Sequence, residues 1–324
     1  TEKVTDYLLE EYARLGYSAK RTVKGGVIAE IGGEGDPILT MAHVDTLGAV
    51  VAEIKSNGRL RLSPVGGFNA NNTEAHNCRV YTYDGQIYEG TIQLADASLH
   101  VNKEYSTTQR TFQSVEVVLD EPVTSKDDVK ALGITNGCFV CADPNLVVTN
   151  SGYIKSRFLD DKLSAAILLG YAKYIRENNI TPLRKVYQHM TVFEEVGHGA
   201  CASIPEDVTE LLSVDMGCVG DGLECTERQV SICAKDGHGP YNYQVTTGLV
   251  NAAKKDSIDY AVDIYPFYGS DADAALSAGK DARHGLIGAG VYASHGYERS
   301  HKDGVVNTFR LLCSYLNGNA PKMD

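Results

Sequence analysis

Apolar residues follow two different periods along this chain, and the period changes as the chain proceeds. Near the start, Val4, Leu8, Tyr12 and Leu15 recur at helical spacing and Gly16 stops the run, which predicts a helix over residues 2–15. Short strands are expected at 26–31 and 37–42. The second, Pro-Ile-Leu-Thr-Met-Ala, is nearly all apolar, as a strand covered on both faces requires. From about residue 50 to 143 the helical period is lost. Runs at 50–54 and 59–62 flank Ser56-Asn57-Gly58, whose Asn-Gly pair signals a hairpin. Further β-rich runs lie at 80–83, 86–91, 115–119 and 138–142. Beyond residue 145, helical patterns at 159–175, 243–255, 273–278 and 305–316 alternate with strands at 184–193, 210–214, 228–234, 259–264 and 284–287.

Alternation of this kind implies an α/β fold, a buried sheet flanked by helices. The β-rich stretch reads as a small all-β domain inserted into it. The expected division is a larger domain of residues 1–50 and 144–324 around an insert at 51–143. No internal repeat or low-complexity tract interrupts either part.

Charge narrows the partners. The net charge is −12, which argues against nucleic acid, because phosphate binding needs clustered Lys and Arg. No apolar run approaches the roughly 20 residues of a membrane span, and no signal peptide is apparent. The eight cysteines do not form a secreted disulfide framework. Cys138 and Cys141 make one CxxC without the second pair a structural zinc needs, and read as buried thiols. A reducing cytoplasm is the expected location.

The chemistry gathers at predicted strand ends, where open α/β sheets bind ligands. His43 and Asp45 follow the strand at 37–42. Two residues apart, they face the same way on an extended segment, so a metal-bound imidazole could be oriented by the carboxylate. Asp160 and Asp161 precede an Ala/Leu-rich helix. There a helix cap competes with metal binding, one carboxylate bridging two ions while the other caps or orients. Glu194 and Glu195 end an apolar strand; one can bind metal while the other takes a proton from the activated water. Asp215 follows Leu-Leu-Ser-Val, a place where an ionised carboxylate needs a partner. His295 and His301 compete for one further role. Asp160, Glu195 and Asp215 in one cage would repel one another, and two divalent cations would reverse that and leave positive charge to acidify a water.

With these residues in hand, the chain resembles the M42 family of metallo-aminopeptidases. The resemblance rests on Ala42-His43-Val44-Asp45, Leu159-Asp160-Asp161-Lys162, Phe193-Glu194-Glu195-Val196-Gly197, Val214-Asp215-Met216 and Gly269-Ser270-Asp271-Ala272, and on the β-rich insert. It implies that His43 and Asp215 hold one metal, Glu195 and a late histidine the other, and that Asp160 bridges them. Asp45 would orient His43, and Glu194 would be the general base. It further implies a mixed sheet in the catalytic domain, a barrel-like insert used for oligomerisation, and homo-oligomers that are often tetrahedral dodecamers. Two departures stand out. Lys162 lies where the family often has Arg, and His295-Gly-Tyr-Glu298 replaces a His-Ser-Pro-Val-Glu segment. Spacing from Ser270-Asp271-Ala272 favours His295 over His301 as the last ligand.

The expected activity is hydrolysis of N-terminal residues from peptides with two divalent ions, zinc first, with cobalt and manganese also suited to such ligands. An amidase or deacylase on the same centre, or a non-catalytic scaffold, are the alternatives. N-acetylated substrates separate the first and metal content the second. No P-loop or Gly-x-Ser-x-Gly elbow is present, and Gly285-Leu-Ile-Gly288-Ala-Gly290 lacks the context of a dinucleotide site.

Overall fold

The computed structural model describes residues 1–323. It divides into two compact units. The first comprises Thr1–Thr46, Leu146–Ser294 and the chain from Glu298 onward; the second comprises Leu47–Asn145 and His295–Tyr297.

The first unit is built on a mixed sheet. Its centre holds Val186–Thr191, Ile38–His43, Glu210–Val214 and Arg283–Tyr292, neighbours in that order and all parallel. Antiparallel neighbours extend it on both sides: Val27–Gly32 beside Val186–Thr191, and Val230–Lys235 and Glu298–His301 beside Arg283–Tyr292. Every residue of Ile38–His43 is buried. Alternation explains how one strand serves two cores. Ile38 and Ala42 join the cluster that packs the helices Glu2–Arg14, Leu159–Glu177, Tyr243–Lys255 and Lys302–Asn317. Leu39 and Met41 join a smaller cluster containing Ala272 and Ala275 of the helix Asp271–Ser277.

Two segments depart from the sequence pattern for identifiable reasons. The expected strand at 284–287 runs over Arg283–Tyr292. The glycines of its second half are required by close packing. A Cβ at Gly288 would lie 1.7 Å from the Asp215 carbonyl oxygen, and one at Gly290 would lie 2.1 Å from that of Thr226. The short helix expected at 273–278 begins at Asp271. Ser270 and Asp273 form a capping box there, a start signal stronger than the apolar pattern.

The second unit is a closed six-stranded barrel. Around it run Gly48–Ile54, Leu60–Val65, Val115–Leu119, Ile87–Leu94, Asn77–Tyr81 and Phe139–Ala142, which pairs with the first strand again. Closure removes exposed sheet edges. Asn57-Gly58 makes the expected turn, with Gly58 at φ 80° and its N–H donating to the Lys55 carbonyl at 3.1 Å. The barrel also contains a helix the apolar pattern did not show, Lys126–Ala131, started by a Ser125/Asp128 capping box. No helix among the described residues is long and apolar enough to cross a membrane.

Candidate metal centre

Three parallel strands deliver the polar residues to one edge of the sheet. Thr191 is in register with His43, and Ser213 with Met41. Residues just past these positions therefore emerge at the same level: His43 itself, Glu194 and Glu195 after the second strand, and Asp215 after the third. Asp160 and Asp161 arrive from the helix on one face.

That helix does not begin in the ordinary way. Its cap position is Phe158, in the left-handed region at φ 67° with no side-chain capping bond, and both aspartates have non-helical backbone angles. Capping therefore does not explain Asp160 and Asp161. Phe193 is also left-handed, at φ 71°. Bulky residues rarely adopt this conformation, which costs about 1–3 kcal/mol and is concentrated at functional sites. Each phenylalanine stands two residues before a carboxylate of the cluster, Asp160 or Glu195.

His43 is the hub. Its Nε2 lies 2.9 Å from Asp160 Oδ1 and 3.7 Å from Glu194 Oε2. On the other side of the ring, Nδ1 lies 3.3 Å from the Asp45 carbonyl oxygen and 3.6 Å from Asp45 Oδ1. A proton on Nδ1 would leave the Nε2 lone pair facing the carboxylates. The His43 backbone N–H donates to Asp161 Oδ2 at 3.1 Å. Asp45 in turn accepts the Glu194 and Glu195 N–H groups, each at 3.2 Å. Glu298 Oε2, itself buried, accepts the Asp160 N–H at 3.1 Å.

The electrostatics match the crowding. Burial pushes the Asp161 carboxyl well above the usual range, and the charges of Asp215 and Asp160 push it further against the pull of His43. Burial does the same to Glu194, with Asp215, Asp271 and Asp160 adding to it. Asp215 is raised to about 7 by burial and the Asp160 charge. Burial alone would lower the His43 imidazole; Glu194, Asp160, Asp45 and Asp215 together hold it well above its ordinary value.

This donor set fits divalent cations. His43, Asp160 and Glu195 each aim one ligand atom into a space where the atoms lie within 4.8 Å of one another, and so do His43, Asp161 and Asp215. Asp161 Oδ1 is buried with no hydrogen-bond partner among the described residues. Imidazole and carboxylate oxygens suit zinc, cobalt or manganese.

The two late histidines have different surroundings. His301 caps the helix Lys302–Asn317. Its Nδ1 accepts the Asp303 N–H at 3.1 Å, and its Nε2 lies 2.8 Å from the Ser151 carbonyl oxygen, so both ring nitrogens are engaged. His295 belongs to the barrel unit. It has φ 61°, its carbonyl accepts from Asn72 Nδ2 at 3.0 Å, and its ring lies close enough to Gly67 that a Cβ there would be 2.4 Å from Nδ1.

A model of the M42 glutamyl aminopeptidase family matches residues 25–311. The chain belongs to the M42 family. It is 44% identical over 318 residues to YhfE of Bacillus subtilis (strain 168), described as a candidate aminopeptidase, with 98% of this chain and 92% of that protein covered. It resembles the solved TET aminopeptidase of Thaumarchaeota archaeon SCGC AB-539-E09 with a TM-score of 0.87 and 18% identity, covering 98% of this chain and 90% of that one. The TET1 peptidase of Pyrococcus horikoshii, which assembles into a tetrahedron or an octahedral shell, gives a TM-score of 0.83 at 23% identity, covering 96% and 92%. As an M42 member the chain is a metal-dependent aminopeptidase, a hydrolase of peptide bonds.

The pattern of apolar and polar residues did not single out every residue that shapes this M42 site. Glu298 holds Asp160 in place but sits in sequence as one charge beside Arg299. Lys24 reaches the turn after Glu195, donating to the Gly199 carbonyl at 2.7 Å, from a loop followed by two glycines where a lysine is ordinary. The apolar and polar pattern marks neither, although Glu298 stands in the segment that matches the family's His-Ser-Pro-Val-Glu; only the fold gives them their partners.

Proposed function

We propose that the protein removes N-terminal residues from peptides with two divalent cations, held by His43, Asp160, Glu195, Asp215 and His295. The observation that carries this reading is that His43 meets Asp160 and Glu195 in one donor group and Asp215, beside Asp161, in a second, with Glu194 Oε2 3.7 Å from its Nε2. Asp160 is the proposed bridge. Asp161, which holds the His43 backbone, is given the orienting part. His295 is preferred as the remaining ligand because both ring nitrogens of His301 are already used.

When bound, the ions would polarise the scissile carbonyl and lower the pKa of the attacking water. Glu194 takes that water's proton as the new C–O bond forms, and passes it to the amine nitrogen as the C–N bond breaks. Asp45 keeps the His43 ring turned and, through two backbone N–H groups, fixes where Glu194 and Glu195 begin. Burial favours a Glu194 that accepts a proton readily.

We further propose homo-oligomers assembled through the barrel unit. In its support, that unit leaves Tyr83, Leu99, Val101 and Phe139 exposed. The dodecamer solved for PhTET1-12s makes a dodecamer the first size to look for. No disulfide joins cysteines among the described residues, in keeping with a reducing cytoplasm.

A panel of aminoacyl chromogenic amides, free and N-acetylated, on protein loaded with zinc, cobalt or manganese tests the reading. Free-amine substrates should be cleaved at least ~100-fold faster than their acetylated forms. Equal cleavage of both would make the protein an amidase or deacylase instead.

A further inference from the structure

The turn that carries Glu194 and Glu195 continues through Gly197-His198-Gly199-Ala200. Its entry is held by Asp45. Its exit is held in another way. The Gly199 carbonyl accepts a hydrogen bond from Lys24 Nζ at 2.7 Å, and Lys24 also donates to the His198 carbonyl. On the opposite end of the same Gly199–Ala200 peptide, the Ala200 N–H donates to Asp271 Oδ1 at 2.7 Å. One peptide group is thus gripped by a cation at its carbonyl and a carboxylate at its N–H, the arrangement its dipole favours. Charge-assisted bonds of this kind are about twice as strong as neutral ones.

Both gripping residues are themselves anchored. Asp271 is buried, and its Oδ2 accepts from Thr191 Oγ1, on the strand that leads into the turn. Gly199 packs so closely on this carboxylate that a Cβ would lie 2.0 Å from Oδ1, so the site admits no side chain there. Lys24 sits in the turn between the strands Ala19–Arg21 and Val27–Gly32, where the Gly26 N–H donates to Thr22 Oγ1 at 3.0 Å. Across the catalytic turn, the Phe193 and His198 rings stack with centroids 5.3 Å apart.

We propose that Lys24 and Asp271 are positioning residues that clamp the Gly199–Ala200 peptide and so hold the Glu194 carboxylate in its working place. The inference rests on the reading of Glu194 as general base. Neither residue touches substrate. Without the Lys24 charge the turn keeps its anchor at Asp45 but gains freedom at its far end, and proton transfer suffers before substrate binding does.

Lys24→Met and Lys24→Arg test this in two ways. Hydrogen exchange in the full-length, metal-free protein, followed on peptides spanning 193–201, should quicken by about tenfold or more in Lys24→Met and return towards wild type in Lys24→Arg. In the metal-loaded protein, kcat of Lys24→Met should fall about tenfold with KM within about twofold and metal content unchanged, because small misplacements of a reacting group cost rate before affinity. Normal exchange together with normal kcat in Lys24→Met would overturn the clamp. A fall in kcat that only follows lost metal would overturn it too. If exchange responds as expected but wild-type protein cleaves no aminoacyl amide, the clamp stands and the peptidase reading fails.

Discussion

Glu194→Gln is expected to reduce kcat by about 10²–10⁴-fold, the usual worth of a positioned general base, while the protein keeps its metal and most of its substrate affinity. The substitution changes one oxygen for an amide and leaves size and shape alone. The contacts that fix the turn reach the backbone of residue 194, not its side chain, so the Asp45 bond survives. What disappears is the capacity to accept a proton. The Glu194 Oε2 position, 3.7 Å from His43 Nε2, is close enough for the carboxylate to serve a water at the centre without being its main ligand. Steady-state kinetics with metal analysis on the same preparation checks the claim. A variant within threefold of wild-type kcat would remove Glu194 from the role; a variant that loses its metal would recast it as a ligand.

Stripping the metals should abolish turnover and also reverse the way stability responds to pH. In the metal-free centre Asp215 is raised to about 7, against about 3.9 for a free Asp side chain. Between those values the folded chain binds more protons than the unfolded one, so stability falls as pH rises from about 4 to about 7. Asp161 and Glu194, also raised, act in the same direction. So does His43, whose contribution is complete below about 6.5 and is lost as pH climbs through its raised folded value. Asp45 is lowered: burial alone would raise it, but its hydrogen bond and ion pair with His43 and the Glu194 and Glu195 N–H groups together outweigh that; it opposes the trend at the acid end only. Each group is worth up to about 1.4 kcal/mol per pH unit of difference. Bound cations hold the carboxylates ionised and remove this cost. Chelated protein should therefore melt roughly 5–10 °C lower at pH 8 than at pH 5.5, and added zinc should restore most at pH 8. Calorimetry across this range checks it. Equal melting temperatures for chelated and loaded protein at pH 8 would contradict the account.

Much of this was legible in the sequence because strand ends are readable there. The nearly all-apolar run ending at His43 and the Leu-Leu-Ser-Val run ending at Asp215 are buried strands whose last residues must leave the sheet at one edge. The α/β sheet and the separate all-β unit are likewise what the change of period implied, whereas the mixed strand directions and the barrel form were implied only by the family resemblance. What stayed hidden depends on approach between distant segments. Gly288 lies in a central strand only because the Asp215 backbone crosses it closely, and a run of glycines looks like loop until that contact is known. Asp160 and Asp161 look like helix caps until the Phe158 backbone is seen in the left-handed region. The helix Lys126–Ala131 is short and mostly polar, so its capping box was its main signal.

The most direct measurement is the metal content of purified, reconstituted protein, taken together with anomalous scattering from its crystals. Two ions per chain, held by His43, Asp160, Glu195, Asp215 and His295, are predicted. A single ion with wild-type activity, or metal peaks lying away from His43 and Asp215, would contradict the account at its root.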